Sequence, residues 1–384
     1  LVDIKNEINK KVGPSGVVIK QYIIHPCKPG EYIEICKEKT NWYLNRCNRY
    51  NSFLLNVQMK FFNKDHQKTN LEQILININE LFTKGVKKRV ENTDRPVACL
   101  LSGGLDSSIV CSIVNKFYNG KLETYSIGLE GSEDLKYAKI VAKYLGTIHT
   151  EIIMSEDEFF NSIPKVIEMI ESYDTTTVRA SVGNYLIAKY ISEHSQAKVI
   201  FNGDGSDELM GGYLYMQNCP DHLEFDKECK HLLKNIHYFD VLRSDRSIST
   251  NGLEPRTPFL DREFSNYYLS IPSNIRYESN KIQEKYLFRK SFEKDYLPDE
   301  ILWRKKEAFS DGVSKLTKSW SDIIAEKVKT QKLIEIKTFN KINVLNKPFT
   351  LEQKFYRTIF EKLYPDTDYI IPYFWMPKYS DVDD

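Results

Sequence analysis

A glycine-rich turn between an apolar strand and a helix constrains this chain more than any other feature of its sequence. The turn reads Ser-Gly-Gly-Leu-Asp-Ser-Ser over residues 102–108; the apolar run Pro96 to Leu101 precedes it, and a helical pattern runs from Ser107 to Phe117. Small residues let the backbone approach a phosphate group, and N–H groups at a helix N-terminus favour negative charge. The turn lacks the Gly-Lys-Ser/Thr ending of a Walker loop. It therefore predicts a phosphate-binding loop of another type.

Asp106 gives this turn a second function. A carboxylate beside a phosphate is repulsive unless a cation lies between them, so Asp106 predicts a bound Mg²⁺. The hydroxyl groups of Ser102, Ser107 and Ser108 can donate further hydrogen bonds. The alternative interpretation is a strand–turn–helix corner built of small residues, with no ligand.

The segments around the turn alternate between strand and helix. Strand patterns cover residues 122–129, 148–153 and 198–201, and helical patterns cover 134–145, 156–171 and 181–193. This alternation predicts the α/β class, with a doubly wound parallel sheet and flanking helices. From about Asp207 onward the pattern is mostly helical, and Asn70 to Val90 predicts an amphipathic helix. Residues 1–60 predict short strands, among them Val17 to Ile24 and Tyr32 to Ile35.

A second glycine-rich turn follows the strand that ends at Phe201. Between residues 203 and 212 it contains four glycines and three acidic residues, Asp204, Asp207 and Glu208. Neighbouring acids repel one another, and glycine raises the entropy cost of folding. A Mg²⁺ ion or a charged substrate nearby would resolve the conflict. The alternative is an acidic surface loop.

Charge and composition exclude several classes of protein. The 54 basic and 53 acidic residues nearly cancel, which argues against a nucleic-acid partner. No run of apolar residues approaches the roughly 18 needed to span a membrane, and no secretory signal is recognisable at the start. Seven scattered cysteines fit a reducing compartment better than a disulfide framework. We therefore expect a cytoplasmic protein.

Six motifs in order make the chain similar to a known family. They are the two turns and the segments at residues 173–181 (Tyr-Asp-Thr-Thr-Thr-Val-Arg-Ala-Ser), 252–261 (Gly-Leu-Glu-Pro-Arg-Thr-Pro-Phe-Leu-Asp), 303–312 (Trp-Arg-Lys-Lys-Glu-Ala-Phe-Ser-Asp-Gly) and 373–378 (Tyr-Phe-Trp-Met-Pro-Lys). The first turn resembles the pyrophosphate loop of the ATP-pyrophosphatase superfamily. From about residue 95 to 310, and more thinly to the end, the chain resembles glutamine-hydrolysing asparagine synthetases.

The resemblance implies a fold and two domains. The fold is similar to adenine nucleotide alpha hydrolases, with a helical C-terminal part. Residues 1–62 resemble the closing, β-rich strands of a glutaminase domain, and residues 63–384 an ATP-dependent synthetase domain. The family's glutaminase nucleophile is an N-terminal cysteine, whereas this chain has Leu1 and no cysteine before Cys27. Such a chain is expected to use free ammonia, unless a separate glutaminase chain or a lost N-terminal segment supplies the activity.

The implied reaction uses ATP, aspartate and ammonia or glutamine. The side-chain carboxylate of aspartate attacks the α-phosphate, giving β-aspartyl-AMP and pyrophosphate, and ammonia then replaces AMP. The resemblance assigns ATP and pyrophosphate contacts to Leu100, Ser102, Gly103, Gly104, Asp106, Ser107, Ser108, Ile127, Asn202 and Gly203. It assigns Mg²⁺ to Asp106 and Asp207, the aspartate site to Thr176, Thr177, Arg179 and Asp204, and catalytic roles to Asp204, Lys306 and Arg179.

Two positions depart from the family pattern. Asp204 replaces a usual Glu whose carboxylate assists the ammonia step, and Asn202 replaces a usual Ser at the nucleotide. Two other functions stay open: an amide- or lactam-forming relative with another amine acceptor, and a catalytically silent paralogue that acts as a scaffold subunit. A homodimer is a further hypothesis. Cys219, His222, Cys229 and His231 lie close in sequence, but their spacing fits no standard zinc site.

Overall fold

A five-stranded parallel sheet runs through the part of the chain that the structure, a computed structural model, describes: residues 27–49, 71–306, 319–330 and 345–379. Its strands are β3 (Val97–Leu100), β4 (Glu123–Leu129), β5 (Ile148–Met154), β6 (Val199–Phe201) and β7 (Glu254–Arg256). Their spatial order is β5-β4-β3-β6-β7. From β3 the chain adds strands in one direction across the sheet, to β4 and β5, and then returns to add β6 and β7 on the other side of β3, so the strand order reverses between β3 and β6. In sheets of this kind, ligands bind outside the carboxyl ends of the strands at such a reversal.

Helices cover both faces of the sheet. They are α1 (Leu71–Glu91), α2 (Leu105–Phe117), α3 (Glu133–Leu145), α4 (Glu156–Ile170), α5 (Thr175–His194), α6 (Ser206–Met210), α7 (His222–Asn235), α8 (Asp240–Ser249), α9 (Arg262–Ser270), α10 (Ser273–Ile282), α11 (Tyr286–Ser291), α12 (Asp299–Leu302), α13 (Trp320–Thr330) and α14 (Leu351–Leu363). Within the described ranges, none of them is long and apolar enough to cross a membrane.

Alternating side chains of the central strands divide the core into two layers. Cys99 of β3 and Phe201 of β6 belong to one apolar cluster, together with Phe82 of α1. Their strand neighbours Ala98 and Ile200 belong to the other cluster, which includes residues of α4, α5 and α14. Opposite orientation of successive strand residues produces this division. The predicted doubly wound parallel sheet with flanking helices is confirmed.

The structure differs from the sequence prediction at two elements. Helix α5 begins at Thr175, six residues before the predicted start at Ser181, because the Asp174 side chain caps it by accepting the Thr177 N–H at 2.9 Å. Strand β7 was not predicted. It is three residues long, contains Pro255 and pairs with β6 at the end of the strand order, where proline is tolerated.

The first described residues form a separate two-stranded antiparallel sheet. Its strands are β1 (Glu31–Glu38) and β2 (Asn41–Arg49), so the β-prone segment at Tyr32 is confirmed. Several of its apolar side chains are exposed, including Trp42 at 66% and Leu44 at 61%. The predicted strand at residues 17–24 and the predicted domain boundary at residue 62 lie outside the described residues, and the boundary stays a prediction.

Candidate functional site

The loop after β3 presents the first turn of α2 to the crevice. Gly103 has φ of +73°, and a Cβ atom there would lie 2.4 Å from the backbone N of Ala138, so this position requires glycine. The Ser107 hydroxyl accepts the Ser102 N–H at 3.2 Å and holds the loop closed. Gly104, the N-cap residue, gives α2 no side-chain cap. The N–H groups of the first turn are therefore suited to an anion.

The loop after β6 packs directly against the first loop. A Cβ atom on Gly203 would lie 2.8 Å from the Cβ atom of Asp106, so the two loops meet at this glycine. Asn202 shapes the second loop: its Oδ1 accepts the Asp204 N–H at 3.3 Å, and its Nδ2 donates to the Ser244 hydroxyl at 2.6 Å. The strand reversal thus brings the two glycine-rich turns of the sequence together.

A cavity of about 220 Å³ lies where the loops meet. The predicted site residues that line it are Leu100, Ser102, Gly104, Asp106, Ser107, Ile127, Thr176, Asn202, Gly203, Asp204, Asp207 and Lys306. Gly103, Ser108, Thr177 and Arg179 lie outside this lining. Ser108 and Thr177 are buried, and Gly103 packs closely against α3.

Two lysines and two aspartates form a compact group at the cavity, which we name the lysine cluster (Asp106, Asp207, Lys285 and Lys306). Lys285 Nζ lies 2.6 Å from Asp106 Oδ2 and 2.5 Å from Asp207 Oδ1. Lys306 Nζ lies 2.5 Å from Asp207 Oδ2. Two positive and two negative charges therefore balance within one hydrogen-bonded group.

These ion pairs keep Asp207 and Lys306 charged. Burial alone would raise the pKa of Asp207, but the ammonium groups of Lys285 and Lys306 outweigh it and hold that pKa well below the ordinary value of 3.8. Burial would lower the pKa of Lys306, yet the carboxylates of Asp207 and Asp106 raise it above 10.5. Both partners are ionised across the physiological range.

A second charged group adjoins the first, and we name it the arginine cluster (Asp204, Glu208, Tyr213, Asp240 and Arg243). Arg243 Nη2 lies 3.1 Å from Asp204 Oδ1 and 3.1 Å from Asp240 Oδ1. The Tyr213 hydroxyl donates to Glu208 Oε1 at 2.7 Å. Two carboxyl groups thus contact one guanidinium, and the charge of a third, Glu208, acts on it from farther away.

Burial dominates the arginine cluster. It raises the pKa of Asp204 above the ordinary value of 3.8, and the charge of Arg243 offsets only part of the effect. Burial, followed by the charge of Asp240, raises the pKa of Glu208 well above 4.5. The pKa of Tyr213 rises for the same two reasons. These groups hold protons more strongly than they would in water.

The predicted aspartate-site segment forms the start of α5. Thr176 lines the cavity, whereas Thr177 donates its N–H and hydroxyl to Asp174 at 2.9 and 2.7 Å. Arg179 makes a two-point ion pair with Glu352 of α14, at 2.8 and 2.5 Å. In this structure the guanidinium therefore binds a carboxylate of the chain itself.

Arg304 is another cation near the phosphate loop, and it lines the cavity. Its Nη1 donates to the carbonyl oxygen of Gly103 at 3.3 Å, and its guanidinium lies 3.8 Å from the ring centroid of Tyr137. It also lies 3.6 Å from Asp134, which lines the cavity as well. Arg304 therefore links the phosphate loop to the start of α3.

The residues fit a Mg²⁺ ion that shares its coordination with a ligand. Asp106 Oδ1 is buried and has no hydrogen-bond partner among the described residues, so one carboxylate oxygen is available. Carboxylate oxygen is the ligand type that Mg²⁺ prefers, completed by phosphate and water. Over the described ranges, no group of three or more His, Cys, Asp or Glu side chains is arranged to hold a metal, including the four residues from Cys219 to His231.

Sequence reasoning missed Lys285 and Arg243. Arg243 lies in α8 and Lys285 in the turn between α10 and α11, neither in a recognisable local motif, and Lys285 follows Asp106 by 179 residues. Folding alone brings them to the cavity. Burial combined with several charged partners identifies them in the structure.

Comparisons with known proteins agree with this geometry. A family model described as asparagine synthase matches residues 77–227 and 216–369. The chain is 45% identical over 322 residues to the asparagine synthetase [glutamine-hydrolyzing] of Gallus gallus, and 43% identical over 322 residues to that of Homo sapiens. Each alignment covers 82% of this chain and 57% of the relative, so the chain spans little more than half the length of these relatives.

Among solved structures, the chain is similar to an NH3-dependent NAD synthetase from Campylobacter jejuni. The two share 20% identity, with 41% of this chain and 73% of that chain covered and a TM-score of 0.26. A likeness at this TM-score carries no further conclusion.

Proposed function

The chain belongs to the asparagine synthase family, and we propose that it makes asparagine from aspartate, ATP and ammonia. A side-chain carboxylate oxygen of aspartate attacks the α-phosphorus of ATP, and the bond to pyrophosphate breaks. Ammonia then attacks the acyl carbon, loses a proton, and AMP leaves with the aspartate oxygen. The observation that carries this proposal is the meeting of the two loops, which puts the lysine cluster beside Asp204 in one cavity.

The lysine cluster suits the first half of the reaction. The N-terminus of α2 can bind phosphate oxygens, while Leu100 and Ile127 offer apolar surface to the nucleotide base. Lys306, with its ammonium group at the cavity wall, would stabilise charge on the departing pyrophosphate. Asp106 and Asp207 would hold Mg²⁺, which supplies further neutralisation of phosphate charge when bound.

The aspartate site is proposed at the start of α5. Thr176 lines the cavity and can donate a hydroxyl hydrogen bond to a carboxylate. For Arg179 to clamp the substrate as the family resemblance implies, its guanidinium would have to exchange Glu352 for the substrate carboxylate. Arg243, unlike Arg179, lines the cavity, and its Nη2 lies 3.1 Å from Asp204 Oδ1.

Asp204 is the proposed proton acceptor of the second half. A nitrogen that attacks an acyl carbon must lose a proton, and a carboxylate within hydrogen-bond reach can accept it. The raised pKa of Asp204 brings it closer to the range in which a base is effective. The side chain of Asp204 is shorter than that of the glutamate usual in the family. Its Oδ1 is paired with Arg243 Nη2 at 3.1 Å, which fixes the position of the carboxyl group.

The test supplies the purified chain with Mg-ATP and aspartate, and with ammonium or glutamine as the nitrogen source. Pyrophosphate and asparagine are measured together. Both products with ammonium would support the proposal. Pyrophosphate without asparagine would indicate the lactam- or amide-forming alternative with another amine. Neither product from a folded protein would contradict the proposal and support the silent paralogue.

The partners of the full reaction remain proposals as well. The names of the longer relatives reported above include glutamine hydrolysis. For this chain, the reaction with glutamine as the nitrogen source tests whether it shares that activity. The separate glutaminase chain, the homodimer and the cytoplasmic location stay predictions.

A further inference from the structure

Lys285 occupies the position between the two acids of the lysine cluster. Its Nζ lies 2.6 Å from Asp106, 2.5 Å from Asp207 and 2.7 Å from the Ser206 hydroxyl. Its side chain is 1% exposed. The ammonium group donates hydrogen bonds to Asp106 Oδ2 and to the Ser206 hydroxyl, and Asp207 Oδ1 lies within ion-pair distance of it.

The fold holds Lys285 in one place. Its φ of +59° is uncommon for a residue with a side chain, and its N–H donates to Asn280 Oδ1 at 2.7 Å. Asn280 in turn donates to the carbonyl oxygen of Gly211 at 2.8 Å. A Cβ atom on Gly212 would lie 2.0 Å from the Lys285 Cε atom, so the backbone closes over this side chain.

Both lysines line the cavity, but Lys306 is more exposed than Lys285 and contacts fewer acids. Its side chain is 18% exposed and contacts one acid of the cluster, Asp207. It follows the short helix α12 and lies at the cavity wall, where a nucleotide would bind. Lys306 is thus placed to exchange Asp207 for a phosphate, while Lys285 is enclosed.

We propose that Lys285 is a fixed counter-ion that holds Asp106 and Asp207 in position and prevents a free divalent cation from occupying the site before the nucleotide arrives. Mg²⁺ requires an excess of negative charge, and here two ammonium groups cancel two carboxylates. The phosphates of ATP restore that excess, so the metal enters with the nucleotide. The inference rests on the proposed use of Mg-ATP, and it makes Lys285 a positioning residue.

The experiment measures Mn²⁺ binding by the loss of the electron paramagnetic resonance signal of the free ion. The protein is the whole chain in three forms: unchanged, Lys285→Met and Lys306→Met. Each form is titrated with Mn²⁺ alone, and then in the presence of α,β-methylene-ATP, which cannot be cleaved between the α- and β-phosphates. Lys306→Met is the matched control, because it removes one positive charge from the same cluster but leaves Lys285 between the acids.

The unchanged protein is expected to bind Mn²⁺ alone no more tightly than about 1 mM, and much more tightly with the nucleotide analogue. Lys285→Met is expected to bind Mn²⁺ alone on the order of 100-fold more tightly than the unchanged protein, because repulsion between an ammonium and a dication is removed. Lys306→Met is expected to gain far less. A Lys285→Met/Asp106→Asn double variant should lose the gain.

Tight binding of Mn²⁺ alone to the unchanged protein would overturn the inference, and so would equal gains in the two single variants. If Lys285→Met does not fold, the titrations of the unchanged protein with and without the analogue still decide the question. Because no titration requires turnover, a protein that shows the expected binding but makes no asparagine would contradict the proposed function and leave the role of Lys285 standing.

Discussion

The lysine cluster and the arginine cluster lie side by side, yet the pKa values of their buried aspartates shift in opposite directions. Asp204 and Asp207 are three residues apart, with side chains 17% and 18% exposed. Burial raises the pKa of both acids; at Asp207 two lysines outweigh it and the pKa falls, whereas at Asp204 the one arginine, shared with Asp240, offsets only part of it and the pKa rises. The number of cations per carboxylate therefore decides in which direction the pKa of a buried acid shifts.

This difference suggests how one cavity performs two kinds of chemistry. A cluster in which Asp207 and Lys306 stay charged suits phosphate and metal, since these charges do not change near neutral pH. A cluster short of positive charge raises the pKa of its acids, and a proton acceptor for ammonia would belong there. In the proposed function, adenylation would therefore depend on the lysine cluster and amidation on the arginine cluster.

The largest expected effect is that of Lys306→Ala on pyrophosphate release. Removing a cation aimed at developing phosphate charge costs on the order of 10²–10³ in kcat. Lys88→Ala, at an exposed position of α1 outside the cavity lining, is the control and should change the rate little. Equal losses in the two variants would remove Lys306 from the lysine cluster's proposed role.

Asp207→Asn is expected to destabilise the fold. It leaves Lys285 and Lys306 without their shared carboxylate, and breaking a buried ion pair by removing one partner costs about 3 kcal/mol or more. Urea denaturation measures the free energy of unfolding. A loss below about 1 kcal/mol would mean that the lysines find other partners.

Asp204→Asn separates the two halves of the reaction. Asparagine formation from ammonium should fall by on the order of 10²-fold, because the amide cannot accept a proton. Pyrophosphate release should fall much less, since Asp204 lies in the arginine cluster. Measuring both products in the same reaction gives the ratio, and an unchanged ratio would contradict the division between the clusters.

The pH dependence of amidation should reflect the raised pKa of Asp204. The carboxyl group keeps its proton above its ordinary pKa of 3.8, and only the ionised form accepts a proton, so asparagine formation rises with pH as Asp204 ionises. Ammonium also loses its proton as pH rises. The pH–rate profile of Asp204→Asn shows the contribution of ammonium alone. The profiles of the unchanged protein and of this variant would have the same shape if Asp204 did not titrate in the reaction.

Glu208→Gln is expected to have the smallest effect. Burial and Asp240 raise the pKa of Glu208 well above 4.5, so the fold favours the neutral form that glutamine mimics. The free energy of unfolding should change by less than about 1 kcal/mol at a pH below 4.5, where the carboxyl group is neutral in the unfolded chain as well.

The sign of the pH effect gives a second measurement for this variant. A carboxyl group whose pKa is raised by folding stabilises the protein below its unfolded pKa, and that contribution is lost as pH rises through the folded pKa. The unchanged protein should therefore lose stability towards alkaline pH more steeply than Glu208→Gln. Parallel curves would show that Glu208 does not hold a proton in the fold.

The sequence was most informative where one local segment carries both structure and chemistry. The turns at residues 102–108 and 201–213 follow strands β3 and β6, and their glycines, acids and serines are adjacent in the chain. Their meeting at the strand reversal follows from the predicted parallel sheet.

The rest of the site depends on tertiary packing. Lys285 and Arg243 have ordinary surroundings in the sequence and acquire their partners only when distant helices pack against the loops. The ion pair between Arg179 and Glu352 joins residues 173 positions apart, so no local pattern could reveal it. For the same reason, the three-residue strand β7 is defined by its pairing with β6 and not by its own composition.

The most direct test of the account follows oxygen from the substrate. Aspartate labelled with ¹⁸O in its side-chain carboxylate is incubated with the chain, Mg-ATP and ammonium, and the products are analysed by mass spectrometry. Attack of the carboxylate on the α-phosphorus predicts that one labelled oxygen appears in AMP and none in pyrophosphate. Asparagine formed with AMP free of label, or with label in a released phosphate group, would contradict adenylation in this cavity.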